Sequence, residues 1–212
     1  MAAQTKQLKT VKATPKTWNL DRVLPWLLLA GGVIGVLASG ILTNELFNIL
    51  KNPHYVPVCN LSPVLSCTSV TTSQQAHAFG FPNEFIGLAG YAVLASFGTA
   101  LLAGAKFKKW LWRITNLGLL FAIGFITWLQ FQTLYRIGAL CIFCMITWSV
   151  TIPMFWYVSL YNLRTGNLKT PSKFRSVVSF AQRHHGDIVV LWFLIIIALI
   201  LKRFWYYWST LV

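Results

Sequence analysis

Long apolar runs separated by short basic segments dominate the pattern of this 212-residue chain. Four runs, at residues 24–43, 85–105, 114–134 and 138–161, are each long enough to cross a bilayer, which takes about 20 mostly apolar residues. A fifth run covers 188–201 and continues through Lys202 and Arg203, interpreted as snorkelling cations, into an aromatic segment ending at Trp208. None of the runs alternates as a barrel strand does. The pattern predicts an all-α integral membrane protein with five transmembrane helices.

The composition supports a membrane protein over a soluble or disordered chain. Apolar residues make up 56% of the chain and charged residues 10%, whereas soluble proteins have roughly 25% charged residues. The net charge of +14 would suit a nucleic-acid-binding protein if the basic residues formed one patch. They lie instead in the segments between apolar runs, so no nucleic-acid partner is predicted.

The distribution of Lys and Arg predicts the topology. Fourteen of the 18 basic residues fall before the first run, between runs two and three, or between runs four and five. Because cytoplasmic segments are enriched in Lys and Arg, these three segments are predicted to be cytoplasmic. Residues 1–23 would then form a cytoplasmic basic tail, 164–187 a cytoplasmic basic loop, and 188–212 a fifth helix with an extracytoplasmic C-terminus.

All four cysteines fall on the predicted extracytoplasmic side. Cys59 and Cys67 lie in the segment 44–84, and Cys141 and Cys144 form a C-x-x-C at the outer start of the fourth run. That compartment is oxidising, which permits disulfide chemistry. A C-x-x-C at a helix N-terminus also lies near unpaired backbone N–H groups, which favour the reactive thiolate.

Three interpretations of the cysteines are open on these residues. They could form two inert structural disulfides, or a zinc site completed by His54 or His77. The third is two dithiol pairs that exchange electrons, one in a loop that meets soluble proteins and one near lipid. Its final electron acceptor would dissolve in lipid and take two electrons, which fits a quinone. We favour the third, because a C-x-x-C bridge is usually redox-active and no second C-x-x-C supports a metal site.

Several short motifs accompany the cysteines in a definite order. Ser-Cys-Thr-Ser surrounds Cys67, Phe-Gly-Phe-Pro-Asn ends at Asn83, Gly-Tyr ends at Tyr91, and the C-x-x-C follows. In this order and spacing the chain resembles the vitamin K epoxide reductase family, bacterial type, over roughly residues 24–163. The resemblance implies a location in the bacterial inner membrane.

The resemblance implies a four-helix bundle around a quinone pocket, with the fifth helix peripheral. It implies that Cys144 faces the quinone, that Cys141 exchanges with Cys67, and that Cys59 helps to pass electrons from a partner. All four cysteines would then be catalytic. The partner would be a thioredoxin-fold thiol oxidase outside the cytoplasm and, because the chain ends soon after the fifth run, a separate protein.

Three further positions matter to this comparison. Asn83 matches a family asparagine that hydrogen-bonds a quinone carbonyl, although Asn is also favoured as a helix N-cap. Trp148 stands where some members have a quinone-contacting tyrosine, and an indole cannot supply a phenol. Glu84 stands where a small polar residue is expected, and we interpret it as a membrane-surface residue that favours the helix N-terminus.

The sequence therefore predicts a membrane thiol oxidoreductase that oxidises an extracytoplasmic dithiol protein and reduces menaquinone or ubiquinone. Such an enzyme would support disulfide formation in secreted proteins. Two alternatives stay open. One is a non-enzymatic helical scaffold with structural disulfides, and the other is an enzyme that reduces an epoxide.

Overall fold

A computed structural model describes residues 20–52, 54–168 and 175–210 of the chain. Residues 1–19 of the predicted basic tail and residues 169–174 of the predicted basic loop lie outside the described residues, as do 211 and 212. The described part is helical apart from turns, loops and one isolated β-bridge. The prediction of an all-α protein is confirmed.

Eight α-helices and one 3₁₀ helix follow one another along the described chain. They are α1 (Leu20–Lys51), α2 (Cys67–Thr71), the 3₁₀ helix (Gln74–His77), α3 (Glu84–Leu102), α4 (Lys109–Gln132), α5 (Ile142–Arg164), α6 (Arg175–Arg183), α7 (His185–Arg203) and α8 (Trp205–Trp208). Helix α4 continues into a π-helical turn, Thr133–Ile137. Helices α1, α3, α4, α5 and α7 are long and apolar enough to cross a membrane, as predicted.

Two helix boundaries differ from the predicted ones. Helix α1 continues to Lys51, so the cysteine loop between α1 and α3 begins later than residue 44. Helix α5 begins at Ile142, whereas the fourth apolar run begins at Gly138. Gly138 has a φ of +73° and ends the π-helical turn, because glycine adopts this left-handed conformation without a steric penalty. Apolarity alone does not show such a break.

Close backbone contact between α1 and α3 holds the centre of the bundle together. A Cβ atom at Gly32 would lie 2.5 Å from the backbone nitrogen of Ala95, and one at Gly98 would lie 2.5 Å from the backbone nitrogen of Leu29. Small residues allow such approach in membrane helices, where the surrounding lipid provides no hydrophobic force for association. The glycines thus fix where α3 lies against α1.

A buried polar network closes the end of the bundle that is remote from the cysteines. Asn162 is fully buried on α5, and its amide nitrogen donates to the Trp112 carbonyl at 3.1 Å and to Asn116 at 3.3 Å. Asn167 in turn donates to the Asn162 side-chain oxygen at 3.0 Å. Because both polar atoms of Asn162 are satisfied, the network joins α4 and α5 without an orphaned polar group.

Helix α7 lies at the periphery of the described structure, since none of its residues is buried. The predicted fifth span is interrupted at Phe204, whose ring is 0% exposed within a cluster that includes Val64 and Trp148. Arg203 does not simply extend towards water as predicted. Its Nε donates to the Leu134 carbonyl at 2.7 Å, in the π-helical turn where the regular i to i−4 hydrogen bonds are broken.

Candidate functional site

A short parallel bridge joins the cysteine loop to the segment before α5. The Leu140 nitrogen donates to the Val64 carbonyl at 2.7 Å, and the Ser66 nitrogen donates to the Leu140 carbonyl at 2.9 Å. Cys67 follows Ser66 in the loop, and Cys141 follows Leu140 in the segment before α5. The bridge therefore sets these two cysteines beside each other across 74 residues of sequence.

The structure brings all four cysteines together at one end of the bundle. A disulfide joins Cys59 to Cys67, while Cys141 and Cys144 are free thiols. The Cys67 and Cys141 sulfur atoms lie 3.4 Å apart, and both residues are 0% exposed. Reacting atoms about 3–3.5 Å apart are positioned for attack, so the Cys141 thiolate can exchange with the Cys59–Cys67 disulfide.

Hydrogen bonds from α5 favour the thiolate of Cys141. Cys141 is the N-cap of α5, and its sulfur accepts from the Cys144 backbone nitrogen at 3.4 Å. The hydrogen bond with the Cys144 thiol, with help from the backbone N–H groups of Cys144 and Phe143, lowers the pKa of the Cys141 thiol below its usual 9.0 despite burial. The cysteine that faces the loop disulfide is thus the one stabilised as a thiolate, which makes it the nucleophile when it attacks that disulfide and a good leaving group in the reverse exchange.

Cys144 instead faces a large apolar cavity between the helices. The cavity has a volume of about 810 Å³, and α1, α3, α4, α5 and the cysteine loop all contribute to its lining. Cys144 lies one helical turn beyond Cys141 and is part of this lining. Together the two thiols connect the loop disulfide to the cavity.

Asn83 lines the same cavity but is not a side-chain cap for α3. Its amide nitrogen donates to the Gln75 carbonyl at 2.7 Å, and its side-chain oxygen is buried without a hydrogen-bond partner. The residue occupies the N-cap position, yet its side chain makes no capping hydrogen bond. Asn83 is therefore the N-cap residue of α3 in position but does not cap it with its side chain, and an unsatisfied polar atom is left at the cavity wall.

Two aromatic residues, Trp148 and Tyr91, form further parts of the wall. Trp148 is buried and lines the cavity, as expected from its position one turn beyond Cys144. Tyr91, from the Gly-Tyr motif, also lines the cavity, and its hydroxyl lies 2.7 Å from the Thr151 hydroxyl. The cavity thus contains a phenol, although position 148 does not supply one.

Glu84 is the cavity residue that our reasoning from the sequence missed. We expected it at the membrane surface, but it is 8% exposed and lines the cavity, and its Oε2 is buried without a hydrogen-bond partner. An acidic residue in the first turn of a helix usually only stabilises that helix, so its position alone does not indicate a cavity residue. Its departure from the small polar residue expected there was the available indication.

The loop around Cys59 presents an apolar surface. Cys59 itself is buried, but its neighbours Val56, Val58 and Leu61 are each about two-thirds exposed or more. Asn60 anchors the loop to α2, since its amide nitrogen donates to the Thr68 hydroxyl at 2.8 Å. Tyr55 anchors it to α1 by donating from its hydroxyl to Glu45 at 2.9 Å.

The residues were also expected to allow a zinc site as an alternative to a redox relay. Within residues 20–52, 54–168 and 175–210, no group of three or more His, Cys, Asp or Glu side chains is arranged to hold a metal ion. The Cys67 sulfur is moreover bonded to Cys59 in this state.

Comparison with known proteins adds one result. A family model, described as the vitamin K epoxide reductase family, matches residues 26–159, a range that contains all four cysteines, Asn83, Glu84 and Trp148. No match was found among curated proteins.

Proposed function

The chain belongs to the vitamin K epoxide reductase family, which makes it a membrane redox protein, and we propose that it is a quinone-dependent thiol oxidoreductase. In this proposal it takes electron pairs from an extracytoplasmic dithiol protein through Cys59 and Cys67. Cys141 and Cys144 pass them to the acceptor in the cavity. The net reaction converts the dithiol of the partner to a disulfide, which supports disulfide formation in secreted proteins.

The observation that carries this proposal is the 3.4 Å separation of the Cys67 and Cys141 sulfurs, with Cys144 at the cavity. In the forward direction the reduced Cys67 thiolate attacks Cys141 of a Cys141–Cys144 disulfide and expels the Cys144 thiolate. Cys59 then attacks Cys67 and releases Cys141. The Cys59–Cys67 disulfide forms as the Cys141–Cys144 disulfide breaks. The result is the state of this structure, in which Cys141 and Cys144 are free thiols.

The cavity suits a quinone by its chemistry. Its lining is apolar, its volume of about 810 Å³ falls within the range of small-molecule sites, and the unpartnered Asn83 oxygen marks a polar point on its wall. Asn83 would donate its second N–H to a quinone carbonyl, its free oxygen would accept from a hydroxyl of the reduced quinol, and Trp148 would pack against the ring. A bound quinone would supply a two-electron, two-proton acceptor.

The apolar surface around Cys59 suits a protein partner. Val56, Val58 and Leu61 form an exposed patch of the kind that docks another protein. Because Cys59 is buried, the partner can reach its sulfur only when the loop moves, and the Tyr55–Glu45 hydrogen bond opposes that motion. We infer a separate thioredoxin-fold thiol oxidase as the partner.

The direction of electron flow depends on the topology, which we propose from the basic residues. The connection from α3 to α4 and the first turns of α4 carry four basic residues, Lys106, Lys108, Lys109 and Arg113. The cysteines lie at the opposite end of the bundle. The positive-inside rule puts that basic end in the cytoplasm and the cysteines outside, in the inner membrane of a bacterium.

A disulfide-trapping experiment tests the relay. A Cys59→Ser, Cys144→Ser variant retains only Cys67 and Cys141, which should oxidise to an intramolecular disulfide that mass spectrometry detects. A Cys59→Ser, Cys141→Ser variant, which retains Cys67 and Cys144, is the matched control and should cross-link more slowly. Persistent free thiols in the first variant under oxidant would contradict the proposal.

A further inference from the structure

Glu84 is an ionisable group in a place where a charge is costly. Among the described residues that line the cavity it is the one with a charged side chain. It is 8% exposed, and its Oε2 has no hydrogen-bond partner. The N-terminus of α3 partly compensates a carboxylate there, but an orphaned oxygen at a cavity wall still carries a desolvation penalty. A purely structural residue would not need that oxygen free.

The surroundings of Glu84 link it to both sides of the reaction. Its carboxyl interacts electrostatically with Cys144 and Cys141 at the start of α5. It also interacts with His77, which lies on the 3₁₀ helix and is partly exposed. Neither α1 nor α4 contributes a titratable side chain to the described lining, and α3 adds only Tyr91.

His77 connects Glu84 to the aqueous side. The Nδ1 atom of His77 lies 3.2 Å from the Ser73 carbonyl, and because a carbonyl only accepts, Nδ1 must carry a hydrogen. The Nε2 atom is then the ring nitrogen that can exchange a proton with water. A partly exposed imidazole thus interacts electrostatically with the buried carboxyl.

We propose that Glu84 is the proton carrier between the Cys141–Cys144 pair and the acceptor in the cavity, with His77 as its exchange group towards water. This inference rests on the proposed quinone reductase function. It assigns to Glu84 a role at the acceptor that neither the cysteines nor Asn83 can fill.

The step balances in atoms and charge. The Cys141–Cys144 dithiol loses two electrons and two protons as its S–S bond forms, and a quinone gains two of each. The Glu84 carboxylate takes the Cys144 thiol proton, breaking S–H and forming O–H, and then releases that proton to the acceptor oxygen. The second proton, which Cys141 gives up to water when it forms its thiolate, returns to the acceptor through His77 and Glu84.

The first test needs no quinone. In a Cys141→Ser background Cys144 is the only free thiol of the chain while the Cys59–Cys67 disulfide is intact, so its alkylation by a small maleimide can be followed against pH. The Glu84 carboxylate disfavours the Cys144 thiolate, so Glu84→Gln should speed alkylation at neutral pH and have no effect in acid. Glu45→Gln, at another buried carboxyl outside the cavity lining, should match the parent at every pH. Identical profiles for Glu84→Gln and its parent would overturn the proposal.

The second test uses the protein with all four cysteines. Glu84→Gln should lower the rate of quinone reduction about 100-fold, the usual contribution of a positioned proton donor, and should not slow Cys67–Cys141 exchange. Full quinone reduction by the Glu84→Gln variant would overturn the proton carrier and leave the proposed function standing. Absence of quinone reduction in the parent would instead remove the proposed function and this inference with it.

Discussion

At the scale of single residues, the chemistry divides between two cysteines only three positions apart. Cys141 precedes the first turn of α5 and contacts the loop disulfide, whereas Cys144 lies within that turn and faces the cavity. The same geometry makes Cys144 a hydrogen-bond partner that favours the Cys141 thiolate. One helix turn thus supplies both a stabilised thiolate beside the loop disulfide and a thiol at the cavity.

The hydrogen bond between Cys144 and Cys141 predicts the pH dependence of the exchange step. The attack of Cys141 on the Cys59–Cys67 disulfide should speed up with pH, with a midpoint below pH 9.0, in a Cys144→Ser variant, whose hydroxyl still donates a hydrogen bond. In Cys144→Ala the midpoint should move to higher pH, because the donor that lowers the Cys141 pKa is absent. Acid quenching followed by mass spectrometry measures both rates. Equal midpoints would show that Cys144 does not act on Cys141.

The Tyr55–Glu45 hydrogen bond gives a second prediction. The hydrogen bond to Glu45 raises the pKa of Tyr55 above its usual 10.0, so the neutral phenol holds the loop below pH 10.0 and this stabilisation disappears as the pH rises through the raised pKa. Tyr55→Phe should therefore let a small dithiol reduce Cys59–Cys67 several-fold faster at neutral pH. The ratio of variant to parent rates should fall towards one above pH 10.0. A ratio of one at neutral pH would mean that this contact does not restrain the loop.

The residue scale is also where prediction from sequence was most uneven. The four cysteines were found because their types, spacing and common side are visible in one dimension. The contacts of Asn83 and Glu84 could not be predicted in this way. Their partners belong to other elements of the structure: the Gln75 carbonyl for Asn83, and His77 and Cys144 for Glu84. A one-dimensional pattern gives a helix start at these positions but not the groups that surround it.

At the scale of the helices, apolar runs predicted the five spans while boundaries and contacts came from other interactions. The end of the π-helical turn depends on Gly138, and the approach of α3 to α1 depends on Gly32 and Gly98. Glycines in an apolar run are typical of close helix packing, but only the structure identifies the partner backbone. Hydropathy measures transfer into lipid, and lipid does not distinguish one helix face from another.

Helix packing yields a prediction about stability. Gly32→Ala places a methyl group 2.5 Å from the Ala95 backbone nitrogen, and should lower the free energy of unfolding by about 1–3 kcal/mol, as overpacking does. Gly40→Ala on the same helix meets only the end of the Leu88 side chain at 3.8 Å and should be neutral or slightly stabilising. Thermal unfolding of the detergent-solubilised variants measures the difference. Equal melting temperatures would show that α1 and α3 can separate without loss of stability.

At the scale of the whole molecule, the structure places an apolar protein-facing patch, a sulfur relay and an apolar cavity in sequence. The patch around Cys59 faces outward, the relay is buried, and the cavity opens between the membrane-spanning helices. This order keeps water away from the sulfurs, and it fits the proposed approach of a soluble donor and a lipid-soluble acceptor from different sides. The described part of α7 buries none of its residues, so the relay and cavity are built almost wholly by α1 to α5.

The patch predicts selectivity for protein donors. Val58 is 69% exposed, so Val58→Ser should leave the fold unchanged and slow reduction by a thioredoxin-fold dithiol protein about tenfold, with little effect on reduction by a small dithiol. Val177→Ser, at an exposed valine on α6 remote in sequence from the cysteines, is the control and should change neither rate. Equal slowing with both donors would place the effect of Val58 on the disulfide itself and not on docking.

The most direct test of the central claim is quinone reduction by the purified protein, with a reduced thioredoxin-fold dithiol protein as donor and absorbance as the readout. Menaquinone and ubiquinone are compared, and a Cys144→Ala variant runs beside the parent. The proposed relay predicts turnover in the parent with at least one quinone, and none in the variant. Folded parent protein that exchanges its disulfides but reduces neither quinone, or a Cys144→Ala variant that reduces quinone at the parent rate, would contradict it.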